Sequence, residues 1–233
     1  MAALATSAAG AIDLRTQRGA HPRTGCLDVC PFVPHGTGMD GAIAAAHGAA
    51  RAIARDASLP VYLYGRASRR PEAVGLPELR RGGLDALARR ARSELPPDEG
   101  PAEIDPKAGV VCVGARDVLI AFNVWIDAGV EVARAIANSV RTEGGGLPGI
   151  RALGLWLGSR ALSQISMNLI EPARTGIDQA FVAVERNAAE AKVDIVATEI
   201  VGLVPERFMP DPDAQAARLL VKPGRSLESA LRG

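Results

Sequence analysis

The stretch MDGAIAAAHGAARAIARDASLPVYLYG, residues 39–65, sets an alanine-rich amphipathic run directly before a short apolar one. Met39 to Ala57 is typical of a helix, because alanine has the most favourable helix propensity. Val61 to Gly65, VYLYG, combines β-branched and aromatic residues between Pro60 and the following loop, which predicts a buried strand. A helix that leads into a buried strand indicates a layered α/β architecture.

The same alternation continues on both sides of this stretch. The first residues resemble the end of a helix, and further apolar runs predict six more strands. These strands are Cys26–Val33, Val110–Val113, Val118–Val124, Ile150–Leu157, Leu162–Ile170 and Ile195–Val204. The pattern predicts an α/β (α+β) fold with two layered subdomains, in which mixed sheets are flanked by helices.

Two helices are predicted between the later strands. Asp127 can cap a helix whose apolar residues recur every four positions, and Thr175 with Asp178 resembles a capping box before another helix. We therefore expect a first subdomain over residues 1–116, a second over 117–205 and an irregular tail over 206–233.

Composition excludes several classes of protein. The chain has 233 residues, of which 48% are hydrophobic, and a net charge of +1, so no bulk field draws it to nucleic acid or membrane. Three cysteines are too few for a disulfide scaffold, and no signal-peptide pattern or membrane-length apolar stretch occurs. We expect a cytoplasmic protein with reduced thiols.

The segment GAHPRTGCLDVCPFVP, residues 19–34, carries the strongest chemical signal. His21 lies in a glycine-containing loop before a strand, where it could act as a general base near neutral pH or simply serve the structure. Cys26 and Cys30 are too few, with His21, to form a typical metal site, and we interpret both as core residues on one strand face. No metal is expected.

A glycine turn offers an alternative. Gly36 to Gly41 matches G-x-G-x-x-G between a predicted strand and a helix, and Arg66 follows the next strand, where it would suit the 2′-phosphate of NADP. Pro34 and His35 occupy the place of the tight turn, and strands that a full dinucleotide fold needs are missing. A plain strand-to-helix turn is the preferred interpretation.

The chain resembles the formiminotransferase family. HPRTGCLDVCPFVP is similar to that family's H-P-R-M-G-A-L-D-V-C-P-F-x-P signature, and GPAEIDPKAGVVCVGARDVLIAFNVW is similar to its G-P-x-x-x-x-P-x-x-G-A-x-x-x-G-A-R-x-x-L-I-A-F-N. Two later motifs, ALGLWLGSRALSQISMNLIEP and EIVGLVP, follow in the family's order. The resemblance extends from near the start to Pro205.

The resemblance implies transfer of a formimino group from N-formimino-L-glutamate to tetrahydrofolate, a late step of histidine degradation. It implies that His21 is the general base and that the segment from Gly100 to Gly109 contacts folate. The members of that segment are Gly100, Pro101, Ala102, Glu103, Ile104, Asp105, Pro106, Lys107, Ala108 and Gly109. Small-molecule substrates and a homodimer are expected from the family, and no nucleic acid or membrane partner is expected.

Four further side chains are possible substrate contacts. Arg23 and Arg116 could hold a carboxylate in bidentate fashion or form salt bridges. Asn123 and Asn168 stand in apolar strands, where a buried amide needs partners. Five arginines of the arginine-rich stretch from Arg66 to Arg92 could attract a polyglutamate tail, although a solvated basic face is the preferred interpretation: Arg66, Arg69, Arg70, Arg80 and Arg81.

The chain departs from the family at several points. Ala20 replaces a glutamate, Thr24 a methionine and Glu171 an aspartate, and the family's opening strand–helix–strand unit has no counterpart. The first subdomain is therefore expected to be truncated. These departures leave open a folate-binding paralogue without transferase activity beside the transferase and the NADP-binding alternative.

Overall fold

The computed structural model describes residues 1–17, 23–35, 38–70 and 75–232. Contacts divide the chain into two compact units, Met1–Asp117 and Val118–Gly233. The expectation of an α/β fold with sheets flanked by helices is confirmed, since one unit holds a parallel sheet and the other an antiparallel one.

The first unit is built on a three-stranded parallel sheet in the order β1-β3-β2. Its elements are α1 (Ala2–Ala11), β1 (Val29–Phe32), α2 (Met39–Ala57), β2 (Val61–Gly65), α3 (Leu76–Leu79), α4 (Gly83–Ala91) and β3 (Val111–Ala115). The predicted helix Met39–Ala57 and strand Val61–Gly65 are confirmed at both ends. The strand predicted over Cys26–Val33 is shorter, because Cys26 lies in a turn before it.

Helices cover both faces of this sheet. On one face α2 buries Ala46, Ala50 and Ile53 against the sheet, and α1 adds Ala5 to the same cluster. On the other face Leu79 and Leu87, from α3 and α4, pack against β2 and β3. Burial from both sides explains why β2 and β3 read as continuous apolar runs rather than alternating ones.

The second unit is built on a four-stranded antiparallel sheet in the order β5-β6-β4-β7. Its elements are β4 (Ile120–Ile126), α5 (Val130–Val140), a 3₁₀ turn (Thr142–Gly144), β5 (Ile150–Leu157), β6 (Leu162–Leu169), α6 (Ile177–Ala191), β7 (Ile195–Val201), a second 3₁₀ turn (Glu206–Phe208), α7 (Gln215–Arg218) and α8 (Leu227–Leu231). The strand Ile150–Leu157 is confirmed at both ends.

The helices α5 and α6 cover one face of this sheet. Phe122 and Val124 of β4 belong to the same buried cluster as Ile165 of β6, Ile136 of α5 and Phe181 of α6. Residues beyond Pro205 join this unit through main-chain hydrogen bonds between Thr198 and its neighbours in the tail. The other face of this sheet carries polar side chains.

Both predicted helix caps are wrong. Gly129, not Asp127, is the N-cap of α5, and Gly176, not Thr175, is the N-cap of α6. The Thr175 hydroxyl instead donates to the Pro148 carbonyl at 2.6 Å. The Gln179 side chain accepts from the Gly176 amide at 2.9 Å, so the helix start is stabilised from inside the first turn.

Candidate functional site

The segment predicted to carry the chemistry is described from Arg23 onward, and His21 lies outside the described residues. The Arg23 guanidinium donates to the main-chain carbonyl of Gln17. We call residues 23–28, which lead into β1, the signature loop. Arg23 is half-buried and, among the described residues, has no carboxylate partner.

The signature loop is hydrogen-bonded to the end of the predicted folate segment. The Cys26 amide donates to the Ala108 carbonyl at 2.9 Å, and the Val110 amide donates to the Thr24 carbonyl at 3.0 Å. Gly25 and Gly109 form an isolated antiparallel bridge. Two motifs separated by about eighty positions in the sequence are therefore direct neighbours in the first unit.

Both bridging glycines are required by this close approach. A Cβ atom on Gly25 would lie 1.8 Å from the Val110 carbonyl oxygen, and one on Gly109 would lie 2.2 Å from the Thr24 oxygen. Gly109 also has a φ of +72°, which side chains disfavour. The contact of these glycines with the chain's own backbone explains them without a ligand.

Asp28 fixes the shape of the signature loop, and sequence reasoning gave it no role. Its Oδ1 accepts from the Thr24 amide at 2.6 Å, from the Gly25 amide at 3.1 Å and from the Thr24 hydroxyl at 3.2 Å. Its Oδ2 is paired with the Arg80 guanidinium. A short acidic side chain in a glycine-containing loop is the local signal that could have revealed it.

The predicted folate segment is largely open to solvent. Its exposed members are Gly100, Pro101, Ala102, Glu103, Asp105 and Pro106, whereas Ile104, Ala108 and Gly109 are buried. Lys107 is half-buried; its amide donates to Asp105 Oδ1 at 2.8 Å and its carbonyl accepts from the Leu14 amide at 3.0 Å. The exposed members remain available to a ligand.

Arg116 follows the carboxyl end of β3, beside Tyr64 of β2. Its guanidinium donates to the Asp117 carbonyl at 2.9 Å. Burial raises the pKa of Tyr64, and the positive charge of Arg116 opposes that rise. The buried Tyr64 hydroxyl has no hydrogen-bond partner within the described ranges, so its contact with Arg116 falls short of hydrogen-bond geometry. Carboxyl ends of parallel strands are common ligand sites.

The arginine-rich stretch is neither a free anion site nor a solvated face throughout. Arg69 pairs with Glu99 at 2.8 Å and Arg70 with Asp98 at 3.4 Å. The Asp98 carboxylate also accepts from the Leu63 amide at 2.8 Å, which closes the outer edge of β2. These arginines hold the segment before Gly100 against the sheet.

Asn123 and Asn168 share the face of the antiparallel sheet opposite to α5 and α6. Asn123 stands opposite Ser166 and Asn168 opposite Ala121, so the two amides are diagonal neighbours on adjacent strands. We call this surface the polar sheet face. Its members are Asn123, Trp125, Gln164, Ser166, Asn168 and Glu199.

Two cross-strand hydrogen bonds order part of the polar sheet face. Asn123, only 6% exposed, donates through Nδ2 to Glu199 Oε2 at 2.9 Å. Trp125 Nε1 donates to Gln164 Oε1 at 3.1 Å, and the Arg160 guanidinium lies 4.5 Å from the centre of the Trp125 ring. The half-buried side chains of Ser166 and Asn168 make no hydrogen bond with any described residue.

Cys26 and Cys30 lie in a turn and in β1, respectively. Cys30 is buried as predicted, but Cys26 is half-buried in its turn, with its sulfur 3.5 Å from the carbonyl oxygens of Ile12 and Lys107. Burial raises the pKa of both thiols. In the described ranges, no three His, Cys, Asp or Glu side chains are grouped as a metal site, and no helix is long and apolar enough to cross a membrane.

The glycine turn does not lead into a dinucleotide-binding sheet. In the Rossmann order the strands on either side of the first crossover helix are adjacent. Here β3 lies between β1 and β2, although α2 connects those two strands. Gly36 and Thr37 lie outside the described residues. The strand order supports the plain strand-to-helix turn.

Fold and side chains together define a two-unit α/β protein with candidate ligand-binding positions in each unit. Residues 1–116 match the family model described as "Formiminotransferase domain, N-terminal subdomain", and residues 121–221 match the one described as "Formiminotransferase domain". The chain belongs to the formiminotransferase family.

Individual relatives agree with this assignment. Glutamate formimidoyltransferase of Thermoplasma acidophilum is 38% identical over 210 residues, 88% of this chain and 69% of the relative. The Streptococcus pyogenes enzyme of that name is 34% identical over 203 residues, 86% of this chain and 68% of the relative. Formimidoyltransferase-cyclodeaminase of Rattus norvegicus is 36% identical over 218 residues, and the match spans 90% of this chain but only 40% of that relative.

Proposed function

We propose that this chain transfers the formimino group of N-formimino-L-glutamate to N5 of tetrahydrofolate. The observation that carries the proposal is the direct pairing of two family motifs, since the signature loop after His21 is hydrogen-bonded to residues 108–110. Similarity to relatives named glutamate formimidoyltransferase supports the same reaction. Small-molecule partners, a homodimer and a cytoplasmic location belong to this proposal through the family resemblance.

His21 is the proposed general base. A neutral imidazole can accept the proton that N5 loses as it attacks the formimino carbon, and can return it to the departing glutamate nitrogen. His21 precedes Arg23 by two positions, and Asp28 holds the loop that follows. A fixed loop beside the base lowers the conformational freedom that would otherwise be lost in the transition state.

Folate is proposed to contact the exposed part of the Gly100–Gly109 segment. The Lys107 ammonium could meet a folate or glutamate carboxylate, and Pro101 and Pro106 offer rigid apolar surface. Arg23, Arg116, Asn123 and Asn168 are proposed substrate contacts, through guanidinium groups for carboxylates and amides for polar edges. No metal takes part in the proposed reaction.

Replacement of the base tests the proposal. We expect His21→Ala to lower the rate of glutamate release by about a hundred- to ten-thousand-fold, the usual contribution of one general base. The rise in melting temperature given by 5-formyl-tetrahydrofolate should stay nearly unchanged, because ligand that binds only the native state stabilises it. Both quantities are measured on wild-type and variant chains.

His47→Ala is the matched control, because His47 lies on α2, with its Nε2 2.8 Å from the Ala67 carbonyl oxygen, and has no proposed role in the reaction. Equal loss of folate binding and rate in His21→Ala would make His21 a structural residue. A melting temperature raised by NADPH but not by the folate analogue would favour the glycine-turn alternative. If the wild type binds folate but releases no glutamate, the chain is a folate-binding paralogue without transferase activity.

A further inference from the structure

Glu199 is a half-buried carboxylate whose charge has no cationic partner among the described residues. Its one hydrogen bond there comes from the neutral Asn123 amide, to Oε2 at 2.9 Å. Two other half-buried carboxylates are paired with arginines, Asp28 with Arg80 and Asp98 with Arg70. Removing a carboxylate from water without a cationic partner costs free energy.

Its surroundings on the polar sheet face also favour a ligand. Asn123 is buried and fixes Oε2, which leaves Oε1 without a described partner. Ser166 stands opposite Asn123 on the next strand, and its hydroxyl makes no hydrogen bond with described residues. An oriented anion beside unused polar groups is suited to a small planar cation that carries N–H donors.

We propose that Glu199 binds the formimino group itself and selects it over a formyl group; this inference rests on the proposed function. The formimino group of the donor is an amidine, which carries a positive charge near neutral pH. Its planar N–H groups resemble part of a guanidinium, the partner that carboxylates bind best. A formyl group is neutral and would direct oxygen lone pairs at the carboxylate.

The donor and the product both present this cationic partner, whereas the tetrahedral intermediate between them, whose carbon holds three neutral nitrogens once the base has taken the N5 proton, does not. The N5–carbon bond forms, the bond from that carbon to the glutamate nitrogen breaks, and the proton lost by N5 goes to the departing nitrogen. The amidinium charge is present both before and after transfer. Glu199 should therefore act on donor affinity and donor choice more than on the rate of the bound complex.

Glu199→Gln tests the negative charge of the Glu199 side chain separately from its shape. Glutamine has nearly the same shape and keeps a carbonyl oxygen that can accept from Asn123. Glu190→Gln is the matched control, because Glu190 is an exposed carboxylate on α6 of the same unit. Titration calorimetry gives the dissociation constants of N-formimino-L-glutamate and N-formyl-L-glutamate for wild type and both variants, with melting temperatures to show that each is folded.

We expect Glu199→Gln to weaken binding of the formimino compound by about 10- to 100-fold, as loss of one charge-assisted hydrogen bond implies, while the formyl compound binds as tightly as before or more tightly. Glu190→Gln should match the wild type. Equal weakening of both compounds, or no change, overturns the inference while the glutamate-release assay still stands. A wild type that binds neither compound and releases no glutamate contradicts the proposed function itself.

Discussion

The signature loop of the first unit and the polar sheet face of the second use polar groups in opposite ways. In the loop, both oxygens of Asp28 are taken by the chain, and the two bridging glycines contact backbone. On the sheet face, the Asn168 side chain has no hydrogen-bond partner among the described residues, and the Glu199 carboxylate has a neutral one. The described part of the motif therefore serves the fold, while the sheet face keeps unused polar groups that we propose bind the substrate.

Gly25→Ala tests the folding role of the loop most severely. The new Cβ atom would meet the Val110 carbonyl oxygen at 1.8 Å, and this oxygen belongs to the backbone and cannot turn aside as a flexible side chain could. We expect a loss of about 3 kcal/mol in the free energy of unfolding, measured by urea denaturation.

Gly48→Ala is its control, because a Cβ atom at that position of α2 would have no described atom within 4 Å apart from its chain neighbours and the nearby backbone of its own helix. Alanine in the middle of a helix should stabilise the protein by about 0.5–1 kcal/mol. Similar destabilisation by both substitutions would show that the close approach at Gly25 is unimportant.

Asp28→Ala should have the next effect in size. It removes three hydrogen bonds from the loop and leaves the half-buried Arg80 without its ion-pair partner, so we expect a loss of about 2–3 kcal/mol. Asp56→Ala breaks an exposed pair with Arg55 and should cost less than about 0.5 kcal/mol. If Asp28→Ala and Asp56→Ala unfold at the same urea midpoint, the role given to Asp28 is wrong.

Local pattern predicted much of the fold. The helix Met39–Ala57 and the strands Val61–Gly65 and Ile150–Leu157 follow from apolar periodicity and propensity, which act within a few residues. The caps of α5 and α6 were missed because glycine is the N-cap in both and carries no capping side chain. No local signal places β3 between β1 and β2, since strand order depends on packing across the whole unit.

The candidate site was predictable only in part. Asn123 and Asn168 stood out as amides in apolar strands, and the structure places both on one face. Glu199 was missed, because its pairing with Asn123 depends on the register between β4 and β7, which the sequence does not reveal. The bridge between Gly25 and Gly109 joins distant positions and was hidden for the same reason.

Asn168→Ala should change the stability of the protein less than Gly25→Ala or Asp28→Ala does. Its side chain is half-buried and makes no hydrogen bond with described residues, so we expect the free energy of unfolding to change by less than about 0.5 kcal/mol. Asn187→Ala serves as control, because the Asn187 amide donates to the Ala183 carbonyl within α6, outside the polar sheet face.

The affinity of Asn168→Ala for N-formimino-L-glutamate, measured by titration calorimetry, separates a binding face from a folding one. Loss of one neutral hydrogen bond to the ligand, worth about 1 kcal/mol, should weaken binding by about fivefold while stability is kept. Asn187→Ala should bind as the wild type does. Unchanged affinity in Asn168→Ala together with a clear loss of stability would contradict the assignment of the polar sheet face to ligand binding.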